Sequence, residues 1–180
     1  MDSEAFIRGC EAALKELIDE MQTPLMKYSY GILLNYADAE DAVQSAFVKV
    51  YMNRKNIRNP NTLPAYLYRT TYNMSVDIIR KRRFFIMESQ PANKNCDYIS
   101  EEMLDALGKL SILDRALVYG RAVEEMDYKE LSDIHGKSEQ SLRKRYERAK
   151  KKLICILNAN QQDKTLMMNN TLERRKCHER

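Results

Sequence analysis

Residues 127–152 read Asp127-Tyr-Lys-Glu130-Leu-Ser-Asp-Ile-His-Gly136-Lys-Ser138-Glu-Gln-Ser-Leu142-Arg-Lys-Arg-Tyr-Glu-Arg148-Ala-Lys-Lys-Lys152. Asp127 and Glu130 have the spacing of a capping box, in which each side chain accepts from the backbone N–H of the other residue. Gly136 falls where a helix commonly ends on a left-handed residue, a conformation glycine adopts without a side-chain clash. Ser138 then opens a second helix, whose apolar residues Leu142, Tyr146, Ala149, Leu153 and Ile156 recur at alternating steps of four and three. A short helix, a glycine turn and a longer helix make a helix-turn-helix, whose second helix enters the major groove of DNA. Ser138, Glu139, Gln140, Ser141, Arg143 and Lys144 lie early on that helix and are the candidates for reaching base edges. Arg145, Arg148, Lys150 and Lys151 extend the positive field toward phosphates.

Toward the N-terminus, Ser111-Ile-Leu-Asp114 is a further capping pattern, preceded by a short helical stripe of Met103, Leu104, Leu107 and Leu110. Glu88 to Asp97 is polar and aperiodic, which predicts a flexible linker. A helix is predicted from about Pro64 to Arg83, with Leu67, Thr71, Met74 and Ile78 on one face. Tyr66, Arg69, Asn73, Asp77 and Arg80 fall on another face, which is aromatic, polar and basic. Asn53 to Pro64 predicts a loop. Asp38 is expected to cap a helix with Ala42, Val43, Ala46, Phe47, Val50 and Tyr51 on its apolar face. Phe6 to Met21 predicts an opening amphipathic helix, and Thr23-Pro24 the start of the next. The expected fold is all-α. Two small helical domains, residues 1–84 and 101–157, are joined by a linker at 85–100 and followed by a polar tail at 158–180.

Charge is unevenly spread. The chain is +4 overall, yet Arg69–Arg83 carries +4 and Leu142–Lys152 carries +6, so the remainder sums to −6. Two basic blocks on an acidic background suit two footprints on a polyanion. Cys10, Cys96, Cys155 and Cys177 form no CxxC pair, and His135 and His178 complete no ligand pattern, so neither a disulfide framework nor a metal site is expected. The acidic N-terminus lacks the basic start of a signal peptide, and no apolar run approaches a membrane span. A cytoplasmic protein without a cofactor or small-molecule substrate is expected.

Asp38-Ala-Glu-Asp-Ala-Val-Gln-Ser-Ala-Phe47 resembles a segment that bacterial sigma factors write roughly as DAEDLVQEVF. Ala65–Arg83 resembles the family's −10-reading helix, and Tyr128-Lys-Glu130, Gly136, Ser138 and Arg148-Ala-Lys-Lys-Lys-Leu153 resemble its −35-reading domain. The likeness covers most of residues 20–157 and is to the small extracytoplasmic-function group. It departs from that pattern at Tyr66, where tryptophan is usual, at Ser111 in place of a proline, at Ser132 in place of an alanine, and at Ser45 in place of an acid.

The resemblance implies a non-enzymatic subunit that directs promoter-specific initiation with core RNA polymerase, often under an anti-sigma factor. Core polymerase would be met by Glu40, Asp41, Gln44, Ser45, Val48 and Lys49. The −10 element, as single strand, would be met by Tyr66, Arg69, Tyr72, Asn73, Asp77, Arg80, Lys81, Arg82 and Arg83, with Asn53–Asn61 as a wall of the base pocket. Ser138, Glu139, Gln140, Ser141, Arg143, Lys144, Arg145 and Arg148 would meet the −35 element. A stand-alone helix-turn-helix regulator is the alternative; it leaves the Asp38–Phe47 segment and the Arg-rich helix of the first half unexplained. A nuclease or recombinase would need clustered carboxylates or an activated nucleophile. Asp38, Glu40 and Asp41 instead stand where helix starts favour acids.

Overall fold

The computed structural model describes residues 2–85 and 99–178, with side chains described for 2–82 and 99–160. The first half holds α1 (Ser3–Arg8), α2 (Glu11–Leu33), α3 (Tyr36–Met52) and α4 (Leu63–Phe85), with single 3-10 turns at Arg54–Asn56 and Pro60–Thr62. The second half holds α5 (Glu101–Gly108), α6 (Ile112–Ala122), α7 (Tyr128–His135) and α8 (Glu139–His178). No strand occurs among the described residues.

Several boundaries differ from those the sequence predicts. The opening helix is broken at Gly9, whose φ of 92° lets the Gly9 and Cys10 amides close onto Phe6 and Ala5 carbonyls. The next helix does not begin at Pro24. That proline lies inside α2, because Leu17, Met21, Leu25 and Tyr28 form one unbroken buried stripe. Such a stripe outweighs the ~3 kcal/mol that an interior proline costs. Asn35, not Asp38, caps α3, its Oδ1 accepting from the Asp38 amide at 3.0 Å. The expected loop Asn53–Pro64 contains the two 3-10 turns, and α4 already starts at Leu63. The expected linker falls largely on residues 86–98, outside the described residues. The expected tail is entered by α8 as one uninterrupted helix.

In the first half, α2, α3 and α4 pack around Leu17, Leu25, Ile32, Ala42, Val50, Leu63 and Leu67, all without solvent exposure. Ser29 and Ser75 hydrogen-bond at 3.0 Å across the α2–α4 contact, pairing two hydroxyls that burial would otherwise leave unsatisfied. In the second half, Leu117, Leu131 and Leu142 are fully buried between α6, α7 and α8. A smaller cluster of Ala106, Leu107, Leu110 and Leu153 fixes α5 to α8.

The halves do not stand apart. One core runs through both. Tyr28 of α2 meets Tyr68 of α4 and Tyr119 of α6 edge-on, at centroid separations of 5.2 and 6.3 Å. Arg115 donates to the Ile32 carbonyl at 2.8 Å, and Tyr68 donates to Glu124 at 2.9 Å.

Candidate nucleic-acid and docking faces

The second helix of the helix-turn-helix is set by its turn. Asp127 Oδ1 accepts from the Glu130 amide, and Glu130 Oε2 from the Asp127 amide, both at 2.7 Å, so α7 starts on the expected capping box. Gly136, at φ 63°, ends α7 and redirects the chain. Ser138 Oγ then accepts from the Ser141 amide at 3.4 Å. Leu142, Ala149 and Leu153 turn inward, which leaves Ser138, Glu139, Gln140, Ser141, Arg143, Lys144 and Arg148 exposed together. The Arg143 guanidinium lies 5.0 Å from the centre of the Tyr128 ring. Arg145 is the exception in this group. It is held against α6, 2.6 Å from Asp114 Oδ1 and 3.0 Å from Ser111 Oγ, because its place beside Leu142 faces the interior contact.

On α4, Arg69, Asn73, Asp77, Arg80 and Lys81 are exposed, and Tyr66 is half-buried. Asp77 and Arg80 pair with each other at 3.6 Å, an exposed contact of small net worth. Arg82 instead pairs with Asp38 at the start of α3. Burial raises the Asp38 pKa, and Arg82 opposes that rise. The Arg83 side chain lies outside the described residues. Tyr72 is half-buried, and its ring stands edge-on to His135 of α7 at 4.7 Å.

The loop and α4 enclose a cavity of about 610 Å³ lined by Asn53, Asn56, Arg58, Tyr66 and Arg69, with Asp133 of α7 reaching it from the second half. Amide side chains, one aromatic ring and two guanidinia give such a cavity donors, acceptors and a stacking surface for an extruded base beside a phosphate. The loop lines this cavity together with Asp133, which carried no signal in the sequence. A second cavity, about 670 Å³, lies in the seam between the halves, lined by Leu33, Tyr72, Val76, Ile79, Ile112 and Leu113 among others.

On α3, Glu40, Asp41, Gln44, Ser45, Val48 and Lys49 are all exposed, while Ala39, Ala42, Val43, Ala46 and Val50 are buried. Val48 is 64% and Met52 73% exposed, so an apolar ridge runs along the polar row. Met52 had no signal of its own in the sequence; it stands one turn beyond Val48, where a periodic search would have found it. Among the described residues, no group of three His, Cys, Asp or Glu could hold a metal, and no helix is long and apolar enough to cross a membrane.

Two family models match the chain: Sigma-70 region 2 over residues 17–85, and Sigma-70, region 4 over residues 100–153. Relatives include the RNA polymerase sigma factor SigV of Bacillus subtilis, 22% identical over 147 residues that cover 78% of this chain and 89% of that protein. The ECF RNA polymerase sigma factor SigE of Mycolicibacterium smegmatis is 26% identical over 162 residues, covering 81% of this chain and 63% of that protein. Among solved structures, CnrH in complex with the cytosolic domain of CnrY superposes with a TM-score of 0.70 at 22% identity, covering 87% of this chain and 95% of that one. The sigma factor RpoE of Bartonella quintana, in complex with the anti-sigma factor NepR, gives 0.68 at 20% identity, covering 80% and 96%. The two models fall in order on the two halves that the structure builds as a helical bundle and a helix-turn-helix, and the chain belongs to the sigma-70 family, in its extracytoplasmic-function group.

Proposed function

We propose that this sigma factor docks on core RNA polymerase through the exposed row of α3, captures the −10 element as single strand at α4 and its preceding loop, and reads the −35 element with the first turns of α8. One observation carries the assignment. The exposed, basic start of α8 and the amide-lined pocket beside Arg69 occur in one chain, so a duplex reader and a single-strand reader are coupled. A stand-alone regulator needs the first and has no use for the second.

Each part does a separate job. Glu139, Gln140, Ser141, Arg143 and Lys144 discriminate base edges, while Arg148 and its neighbours hold phosphate without sequence choice. Tyr66 offers a face to an extruded base, Asn73 a carboxamide that can both donate and accept, and Arg69, Arg80 and Lys81 neutralise the strand. Polymerase fixes the distance between the two sites, which turns two weak contacts into one strong one by effective concentration. An anti-sigma factor belongs among the partners, because RpoE is bound to the anti-sigma factor NepR and CnrH to the cytosolic domain of CnrY. The function is that of a non-enzymatic initiation subunit acting where polymerase and chromosome are, in the cytoplasm.

Reconstitution with core polymerase and a promoter library tests the residue roles. Arg143→Ala should weaken upstream-element preference by about 1–3 kcal/mol. Asp41→Ala should reduce co-migration with core enzyme and leave the fold intact. Transcription indifferent to both changes would reject the assignment.

A further inference from the structure

The loop that walls the base pocket is held from behind. Asn53 and Asn56 line the pocket, while Arg54, between them, turns to α1 instead. Its Nη1 donates to the Tyr51 carbonyl at 2.9 Å, and its guanidinium carbon lies 4.2 Å from the centre of the Tyr51 ring. A Cβ added at Gly9 would sit 3.1 Å from Arg54 Nη2 and 3.3 Å from Nε, so the guanidinium rests on bare backbone at the end of α1. Nε is buried there without a hydrogen-bond partner, which makes close packing the substance of this contact. The same Tyr51 ring meets Phe6 of α1 edge-on at 6.2 Å, and Phe6 is 1% exposed. α1 also lies against the second turn, Pro60–Thr62.

We propose that residues 2–10 govern base choice at the −10 element: α1, seated through Gly9 on Arg54, fixes the Arg54–Asn56 turn and so the aim of Asn53 and Asn56 into the pocket. Gly9 and Arg54 are positioning residues and touch no DNA. The inference rests on the pocket assignment made under Proposed function. It adds a segment that precedes the region 2 match, which begins at residue 17. The turn needs such a brace. It closes through the Asn56 amide on the Asn53 carbonyl at 2.9 Å and the Ile57 amide on the Arg54 carbonyl at 3.1 Å. Hydrogen bonds of a single 3-10 turn have poor geometry, so they hold a loop weakly by themselves. Base readout demands more than phosphate binding does. A hydrogen bond to a base edge weakens steeply once its angle falls below about 120°, whereas the pull of Arg69 on a phosphate falls only slowly with distance. A wall that swings therefore loses base preference before it loses the strand.

The test uses the full chain on core polymerase, transcribing a promoter library randomised at both elements, with base enrichment read at each position. Gly9→Ala changes neither the loop nor α4, but sets a methyl group against Arg54. It should cut −10 enrichment about fivefold, the lower end of what one good base contact supplies, and leave −35 enrichment as in wild type. Arg54→Ala should do the same. The double variant should be no worse than Arg54→Ala alone, because Gly9 acts through Arg54. Strain at φ 92° will also lower the melting temperature of the Gly9 variants. A merely structural role would reduce output from every promoter alike and keep both enrichments, and that result overturns the proposal. Additive losses in the double variant overturn it too. Asn56→Ala and Tyr66→Ala separate the brace from the pocket. A −10 loss in these two, with Gly9→Ala and Arg54→Ala like wild type, rejects the brace and keeps the pocket. Unchanged −10 enrichment in Asn56→Ala and Tyr66→Ala removes the pocket, and the brace with it.

Discussion

His135 shows how much a single residue's surroundings decide. Both ring nitrogens are buried without a partner, the Tyr72 ring lies against it from α4, and Lys137 follows two residues on, just past Gly136. Burial first and Lys137 second depress its pKa from 6.5 to about 4. Above pH 6.5 the ring is neutral folded or unfolded, and no penalty arises. As pH falls from 6.5 toward 4, the unfolded chain takes up a proton that the folded ring refuses, so stability drops, with the loss complete below about 4. The full loss is on the order of 3 kcal/mol. His135→Phe keeps a ring on Tyr72 and removes the titration, so its advantage over wild type in denaturant midpoint should grow as pH is lowered from 7 to about 4.5. An advantage independent of pH would exclude the mechanism. Tyr28 is a second case. Its hydroxyl is fully buried with no partner, and burial pushes its pKa well up. Removing an unsatisfied hydroxyl without changing the ring should help, so Tyr28→Phe is expected to stabilise by about 1 kcal/mol in thermal unfolding. Neither feature was legible in the sequence, where a histidine and a tyrosine on helical stripes carry no mark of what faces them.

Elements were more legible than residues, for a physical reason: caps and turns are written locally. The Asp127–Glu130 box, the Gly136 turn and the Ser138 start all form as their side chains dictate. Where local chemistry competed with burial, burial won. Pro24 is a start signal by its ring geometry, yet the stripe of Leu17, Met21, Leu25 and Tyr28 carries α2 through it. Asp38 is a good cap by type, but Asn35 stands closer to the end of α2 and takes the position, leaving Asp38 to meet Arg82. Two substitutions test this level. Asp127→Ala removes the bond from the Glu130 amide to the Asp127 side chain, leaving only the Asp127 amide to Glu130 bond of the α7 cap, and should cost about 1–2 kcal/mol. It should also loosen the turn that aims α8, lowering −35 affinity at a fixed polymerase concentration. On α3, Val48→Asp places a charge on a side chain 64% exposed, so melting should move by less than about 0.5 kcal/mol. Association with core enzyme should fall by more than about 1 kcal/mol if the ridge of Val48 and Met52 is part of the docking face.

At the scale of the whole molecule, periodicity supplied the helices and resemblance supplied two modules, but the packing of one module on the other had no local signature. It depends on pairs distant in sequence: Gly31 with Tyr119, Tyr68 with Glu124, Ile32 with Arg115. Gly31 reads on its own as an ordinary weak point in a helix, and only the ring seated against it explains the residue. A shared core has a thermodynamic consequence. Tyr119 is 6% exposed and touches side chains of both halves, so Tyr119→Ala opens a cavity in the seam and should cost about 3–5 kcal/mol. If the halves unfold as one cooperative unit, amide exchange protection should fall by a similar amount in α2 and α4 as in α6 and α7. Protection lost only in α6 and α7, with α2 and α4 unchanged, would mean that the first half holds its structure without the second, and that the seam is a contact between independent domains.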